Sequence, residues 1–137
     1  PAPEYARSVK QPWATLLAFG VKCVEVRTWP TSRRGRVLIH ASKIPDPRPD
    51  GWAWITTPEL EAAARLLGGV VGVGELSGCV RYDTAPKFEA DRGRHLNPPG
   101  WFVPTGLYGL TFRDLRVVPF VPCAGNTFFF PVAGVIL

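Results

Sequence analysis

Prolines and glycines restrict the fold of this chain more than any other feature of its sequence. The 137 residues include 15 Pro and 14 Gly, spread along the whole length. Proline lacks a backbone donor and glycine favours turns, so both interrupt regular elements. We therefore expect short strands and many turns rather than long helices. With 46% apolar residues, the chain suffices for one domain, which we place over residues 1–137 with its core at about 7–132.

Local patterns predict a mixed order of strands and helices. Val24 and Val26 alternate with charged residues, as in a half-buried strand, and a helix with Pro12 in its first turn would end at Gly20. These patterns favour an α+β fold, a small mixed β-barrel of five or six strands flanked by two or three helices. The expected elements are a loose opening arm entering a strand at 1–9, strands at 22–29, 35–42, 70–80, 107–112, 115–121 and 127–132, helices at 11–20 and 57–67, and a long polar loop at 81–105 with a turn of helix near 87–91.

Positive charge is concentrated in the first third of the chain. The net charge is +5, and residues 1–50 hold nine Lys or Arg against four Asp or Glu. Between residues 7 and 43 the sole acid is Glu25, and Trp13 and Trp29 lie in the same stretch. Basic groups interleaved with aromatic residues suit a polyanion with stackable bases. An ordinary solvated, arginine-rich face is the alternative explanation.

Cysteine and histidine positions argue against a metal or disulfide-based protein. The three Cys are widely separated without a CxxC pair, and His40 and His95 are the two histidines of the sequence. We expect no metal, no cofactor, and reduced thiols in a cytoplasmic protein. The apolar runs are far shorter than the roughly 18 residues of a membrane span, so we expect no membrane partner. We also expect a monomer.

The run GVKCVEVR at 20–27 holds three charged side chains that could act together. Glu25 and Arg27 are two residues apart, so on a strand they face the same way and can pair. Lys22 would face the other side of an ideal strand, and it can join them only if the turn after Gly20 reorients it. A lysine beside a carboxylate can be an anion ligand, a general base or a nucleophile. The alternative is a network that only stabilises the fold.

This stretch resembles the ASCH domain, the activating signal cointegrator homology domain. The resemblance implies a PUA-like β-barrel with a cleft between barrel and helices, lined by GxKxxExR residues, that accepts RNA or a nucleotide-derived ligand. It is strong over 8–43 and looser over 70–132. The segments that carry it are QPWA at 11–14, GxKxxExR at 20–27, RGRVLIHAS at 34–42 and GVVGVGELSGCV at 69–80, followed by the late hairpin sequences.

The resemblance also implies an alternative function, because some ASCH-like proteins are hydrolases or ribonucleases. A small amidohydrolase that deacetylates N4-acetylcytidine uses a Lys, a Thr and a Glu. Its lysine matches Lys22, Glu25 stands where it has the threonine, and Glu89 is the candidate for its glutamate. Under this hypothesis Lys22 is the general base on an acylated cytidine or RNA, with Glu25 or Glu89 as partner.

We predict a binding module for RNA, single-stranded DNA or a modified nucleoside. Arg33, Arg34 and Arg36 on a turn would hold phosphates without reading sequence, whereas the residues near Glu25 would contact the base. Each assignment has a structural alternative: a solvated turn, an ion pair, or core packing. The predicted ligand-binding residues are Trp13, Lys22, Glu25, Arg27, Trp29, Arg33, Arg34, His40, Ser42 and Lys43.

Two other segments carry weaker hypotheses. The 81–105 loop is a candidate binding lid, because long loops in compact domains often have that role. Trp101 within it would cover core surface or close the cleft. The apolar run 128–130 could dock another protein, although such phenylalanines more often form a strand core.

Overall fold

Six strands form one mixed sheet that curls into a half-barrel, which confirms the expected fold class. The computed structural model describes residues 4–135 and 137, so the first three residues of the expected opening arm lie outside the described part. The strands are β1 (Glu4–Val9), β2 (Val24–Arg27), β3 (Gly35–Ala41), β4 (Gly69–Tyr82), β5 (Leu107–Pro122) and β6 (Phe130–Val132).

The sheet order brings both ends of the described chain together. Along the sheet the strands run β2-β5-β4-β3-β1-β6. Strand β1 pairs in parallel with β3, and every other neighbouring pair is antiparallel. Since β1 lies between β3 and β6, residues from the two ends of the described chain lie side by side at this edge of the sheet.

Helical segments are more numerous among the described residues than the two or three that the sequence predicted. Three of them lie within 81–105, where a loop with one turn of helix was expected. Thr84 accepts a hydrogen bond from the Lys87 amide at 3.3 Å and so caps one of these helices. The helices are α1 (Trp13–Ala18), α2 (Pro49–Trp52), α3 (Pro58–Ala64), α4 (Ala85–Ala90) and α5 (Arg92–His95), with a 3₁₀ turn at Pro99–Trp101.

Strand β5 replaces the two strands expected at 107–112 and 115–121. Asp114 adopts a φ of 54°, and the pairing of β5 with β4 changes register between Val73 and Glu75. This β-bulge absorbs the polar interruption without ending the strand. The expected break between residues 112 and 115 was therefore wrong. The polar residues there gave no indication that β5 pairs continuously with the long strand β4.

Helix α1 is buried along its whole length and packs against β3 and β4. Gly72 permits this packing, because a Cβ at that position would lie 2.5 Å from the Cβ of Ala18. The helix gives way at Gly20, which has a φ of 72°, as the sequence predicted. The chain then turns directly into β2, which places the 20–27 run beside α1 at the sheet edge.

Candidate functional site

An open cavity of about 340 Å³ lies beside the 20–27 run. Its walls come from the end of β1, from β2, from the first residue of α1, and from connecting segments around 42–48, 97–101 and 126–127. We call it the central pocket and define it by six of its lining residues: Trp13, Lys22, Glu25, Arg27, Arg48 and Trp101.

Three charged side chains form a buried ion cluster in the wall of this pocket. Lys22 Nζ lies 3.1 Å from Glu25 Oε1, and the second carboxylate oxygen lies 2.8 Å from the Arg27 guanidinium. The turn at Gly20 orients Lys22 inward, and the Lys22 amide donates to the Leu16 carbonyl at 3.1 Å. The three charged groups of GxKxxExR therefore converge, as required for them to act together.

Burial and mutual contact set the protonation of the cluster. Lys22 is 1% exposed and Glu25 is 8% exposed. Burial lowers the pKa of Lys22, and the contact with Glu25 counteracts part of that effect. Burial alone would raise the pKa of Glu25, but Lys22 and Arg27 outweigh it and hold that pKa below its ordinary value. Glu25 is therefore an anion at neutral pH, with cations at both oxygens.

Aromatic and guanidinium planes continue the pocket lining from the ion cluster, since Lys22 Nζ lies 4.4 Å from the centre of the Trp13 ring. Trp13 and Trp101 meet edge to face with ring centroids 5.4 Å apart, and the Arg48 guanidinium lies 3.8 Å from the centre of the Trp101 ring. Asp46 binds the Arg48 guanidinium at 2.9 Å and accepts a hydrogen bond from Trp13 Nε1 at 3.0 Å. These contacts hold a planar cation, partly open to solvent, over an indole.

Polar groups with spare hydrogen-bonding capacity also line the pocket. Arg7 is buried and donates to the Thr127 carbonyl at 2.6 Å, but its Nε has no partner among the described residues. Burial and the nearby Arg27 lower the pKa of Arg7 to about 10, so it remains charged at neutral pH. The buried Oδ1 of Asn97 also lacks a partner within the described part of the chain. An unsatisfied buried polar atom is unfavourable, so a ligand that supplies partners here would be stabilised.

The structure brings five of the predicted ligand-binding residues together. Trp13, Lys22, Glu25, Arg27 and Ser42 all line the central pocket. Their common location is a matter of geometry, and whether each one contacts a ligand stays a prediction.

Arg33, Arg34 and Arg36 were expected on one turn, but Arg36 lies in strand β3, where it pairs in the sheet with Glu75. All three, which we call the basic turn, lie outside the central pocket. Arg33 covers the rings of Tyr5 and Phe129, Arg34 donates to backbone carbonyls of its own turn, and Arg36 pairs with Glu4 at 3.0 Å. Their guanidinium groups therefore serve local contacts first.

The other predicted residues also lie away from the pocket. Trp29 packs edge to face on Phe129 and under the Arg7 guanidinium. His40 is buried and bonds to Ser8 and to the Cys123 carbonyl, while exposed Lys43 lies in a neighbouring groove. Glu89 is exposed and pairs with Arg92 at 3.2 Å, so it does not approach Lys22 in this structure.

Sequence reasoning did not single out Asp46, Arg48 or Asn97. Asp46 and Arg48 belong to the segment PDPRPDG, whose prolines and glycine indicated a plain loop. Asn97 lies in the 81–105 region, where the length of the loop was the available signal. The closely spaced charges of Asp46 and Arg48 in a turn-rich segment were an available signal for an ion pair. Their location in the same pocket as residues 22–27 depends on the tertiary fold.

Metal ligands and membrane-length helices are both missing from the part of the chain that the structure describes. Residues 4–135 and 137 contain no group of three or more His, Cys, Asp or Glu side chains arranged to hold a metal ion. None of their helices has the length and apolar character needed to traverse a bilayer. The three cysteines are unpaired and half-buried.

Comparison with known proteins identifies a family match over residues 8–95 and curated relatives that match a part of the chain. The sequence profile of the ASCH domain matches residues 8–95. Activating signal cointegrator 1 from Homo sapiens is 48% identical over 63 residues, and the protein of that name from Mus musculus is 46% identical over 63 residues. Each alignment covers 45% of this chain and 10% of the relative, so the aligned region is about a tenth of those proteins.

Solved structures share the fold of this chain. The crystal structure of ASCH from Zymomonas mobilis superposes with a TM-score of 0.60 at 18% identity, covering 88% of this chain and 73% of that one. A mutant of ZmASCH from the same organism superposes with a TM-score of 0.63 at 16% identity, covering 98% and 89% respectively. At these identities the likeness concerns the fold alone.

Proposed function

The chain belongs to the ASCH domain family, and on that premise we propose that it binds single-stranded nucleic acid, RNA above all, by taking one nucleoside into the central pocket. One observation carries this proposal: the ion cluster of Lys22, Glu25 and Arg27 lines an open pocket. The Arg48 guanidinium, stacked on the Trp101 indole, lines the same pocket. This combination offers fixed hydrogen-bonding groups and a planar surface in one small cavity.

The volume of the pocket suits a single nucleoside. Small-molecule sites range from about 300 to 1,000 Å³, and the central pocket, at about 340 Å³, lies at the lower end. A longer stretch of nucleic acid would have to continue outside it. The pocket therefore fits one base with its sugar.

Hydrogen-bonding capacity remains at the ion cluster. Each carboxylate oxygen of Glu25 contacts one cation and has a further lone pair, so it can accept from an amino or imino group of a base. The ammonium of Lys22 has three donors and uses one on Glu25. The cluster can thus offer an acceptor and a donor to the edge of the same base.

Planar stacking and phosphate contacts would complete recognition. Arg48 on Trp101 presents a flat cationic face, and bases stack on arginine planes as well as on aromatic rings. Lys10 is exposed at the pocket rim and forms no ion pair with a described carboxylate. It is therefore available for a phosphate.

These contacts favour binding over the hydrolase hypothesis. Lys22 is held by Glu25, an anion that lacks the hydroxyl of the amidohydrolase threonine. Glu89 is exposed and paired elsewhere. Incubation with N4-acetylcytidine, followed by absorbance, tests this point: turnover that disappears in Lys22→Met would support the hydrolase instead.

Replacement of Arg48 tests the binding proposal. We expect Arg48→Ala to weaken binding of short single-stranded RNA about tenfold, because a stacked base contributes about 1–3 kcal/mol. The measurement is the dissociation constant of each variant for short RNA oligomers, by isothermal titration calorimetry at low salt. The matched control is Arg65→Ala, which removes another exposed arginine from a carboxylate pair, Glu61 at 2.8 Å, outside the central pocket. Equal affinities of the two variants, or no binding by the unmodified chain, would contradict the proposal.

A further inference from the structure

A second cavity adjoins the central pocket. This flanking groove has a volume of about 760 Å³ and is walled by Lys43, Ile44, Leu67 and the segment 123–127. An extended ligand seated in the central pocket can continue into it along the common rim. Five residues line both cavities: Ser8, Lys10, Ser42, Asn126 and Thr127.

The flanking groove combines positive charge with apolar surface. Lys10 and Lys43 are exposed, and neither pairs with a carboxylate of the described residues. Its described lining includes no Asp or Glu. Ile44 is 68% exposed and Leu67 is 40% exposed. Ammonium groups beside an apolar floor suit a phosphate followed by a sugar and a base.

Buried contacts hold the wall that the two cavities share. His40 Nε2 donates to the Cys123 carbonyl at 2.8 Å, and Nδ1 is hydrogen-bonded to the Ser8 hydroxyl at 3.0 Å. Gly125 packs against this pair, because a Cβ there would lie 2.6 Å from Ser8 Oγ and 2.8 Å from the His40 ring. The segment 123–127 is therefore fixed in place by His40, and the groove is already formed.

The basic turn offers no comparable continuation. The cavity of about 590 Å³ beside Arg34 shares no lining residue with the central pocket among the described residues. Arg33 is occupied by two aromatic rings, and Arg36 is paired with Glu4. Positive charge alone does not connect this turn to the pocket.

We propose that the nucleotide next to the pocket-bound nucleoside lies in the flanking groove, with the linking phosphate between Lys10 and Lys43. The occupant is thus the same single strand of nucleic acid. This inference rests on the proposed function and adds the path that the strand takes beyond the pocket.

The test compares nucleosides with RNA trinucleotides of the same base, for all four bases, by isothermal titration over a series of salt concentrations. In the unmodified chain we expect the trinucleotide to bind about tenfold more tightly than its nucleoside. Lys43→Ala should remove most of that gain and lower the salt slope by about 0.7, the contribution of one phosphate contact on a single strand. Nucleoside affinity should not change, because Lys43 lies outside the central pocket.

Two variants separate the possible outcomes. Lys87→Ala removes an exposed lysine outside both cavities, paired with Asp83 at 2.9 Å, and should leave trinucleotide binding unchanged. Arg34→Ala tests the basic turn as the path. Loss of the trinucleotide gain in Arg34→Ala but not in Lys43→Ala would overturn the inference, as would a trinucleotide no tighter than its nucleoside. If Arg48→Ala affects neither ligand, the proposed function itself fails.

Discussion

The buried ion cluster and the basic turn are neighbours in sequence but lie in opposite environments. Both are rich in basic residues and both belong to the stretch that carries the excess charge. Lys22 is 1% exposed and bound to Glu25, whereas the Arg36 side chain is 56% exposed and pairs with Glu4 at the surface. A charge count treats these groups alike. Their energetic and functional roles differ because Lys22 is desolvated by the fold, whereas Arg36 stays hydrated at the surface.

Glu25 accounts for most of this difference. It contacts both cations of the cluster, and it is the acid around which they converge. Without it, Lys22 would be a buried cation with no counter-ion among the described residues. The basic turn needs no such partner, since solvent screens its charges.

The largest expected effect is on stability when Glu25 is replaced. Glu25→Gln leaves the buried Lys22 and the half-buried Arg27 without their counter-ion, and we expect a loss of about 3–5 kcal/mol in the free energy of unfolding. Urea denaturation measures it. The control is Glu4→Gln, which removes the surface partner of Arg36 and should cost less than about 1 kcal/mol. Similar losses in both variants would show that burial does not distinguish the two regions.

An intermediate effect is expected at acidic pH from Asp46 in the pocket wall. Burial raises its pKa, but hydrogen bonds from Arg48 and Trp13 outweigh burial and lower the pKa from 3.8 to about 2. Its stabilisation is therefore fully present above about pH 5 and lost as the pH falls through about 2. We expect about 1–2 kcal/mol, allowing for solvent screening at Arg48.

Unfolding by urea at a series of pH values between 5 and 2 measures this contribution. Asp46→Asn should show a shallower loss of stability on acidification than the unmodified chain. Asp83→Asn is the control, because the Asp83 carboxylate is solvent-exposed and pairs with Lys87 away from the pocket. An unchanged acid slope in Asp46→Asn would mean that the ion-paired wall does not contribute to acid stability.

The smallest effect should come from the basic turn. Arg36→Ala removes an exposed ion pair, and we expect a change below about 1 kcal/mol that vanishes at high salt. Thermal denaturation at low and high salt measures it. A large, salt-independent loss would make the turn a structural element comparable to the ion cluster.

The fold could be predicted from sequence because local signals agreed with tertiary packing. Gly20 ends α1 with a positive φ, and Thr57 caps α3 by accepting from the Leu60 amide at 3.2 Å. The α+β class and a barrel-like sheet of five or six strands followed from such signals together with the family resemblance. The continuity of β5 did not, because the bulge at Asp114 depends on pairing with β4. The helices within 81–105 were missed although Thr84 provides a local cap.

The site could be predicted only on its N-terminal side. Residues 20–27 are contiguous, so a turn and a strand suffice to bring Lys22, Glu25 and Arg27 together. Another part of the pocket wall, with Arg48 and Asn97, comes from distant segments whose approach is set by the whole sheet. Sequence spacing cannot report that approach.

The hydrogen bond of 2.6 Å from Arg7 to the Thr127 carbonyl joins two stretches that both fall outside the profile match at 8–95. Trp101, Asn97 and Asn126 also lie beyond that match, as do β5 and β6. A fragment trimmed to residues 8–95 would strip β2 of its pairing strand and remove five residues from the cavity lining, namely Arg7, Asn97, Trp101, Asn126 and Thr127. Domain limits drawn from sequence likeness alone therefore cut through the proposed binding surface, and an expressed fragment should keep Arg7 and residues 96–137.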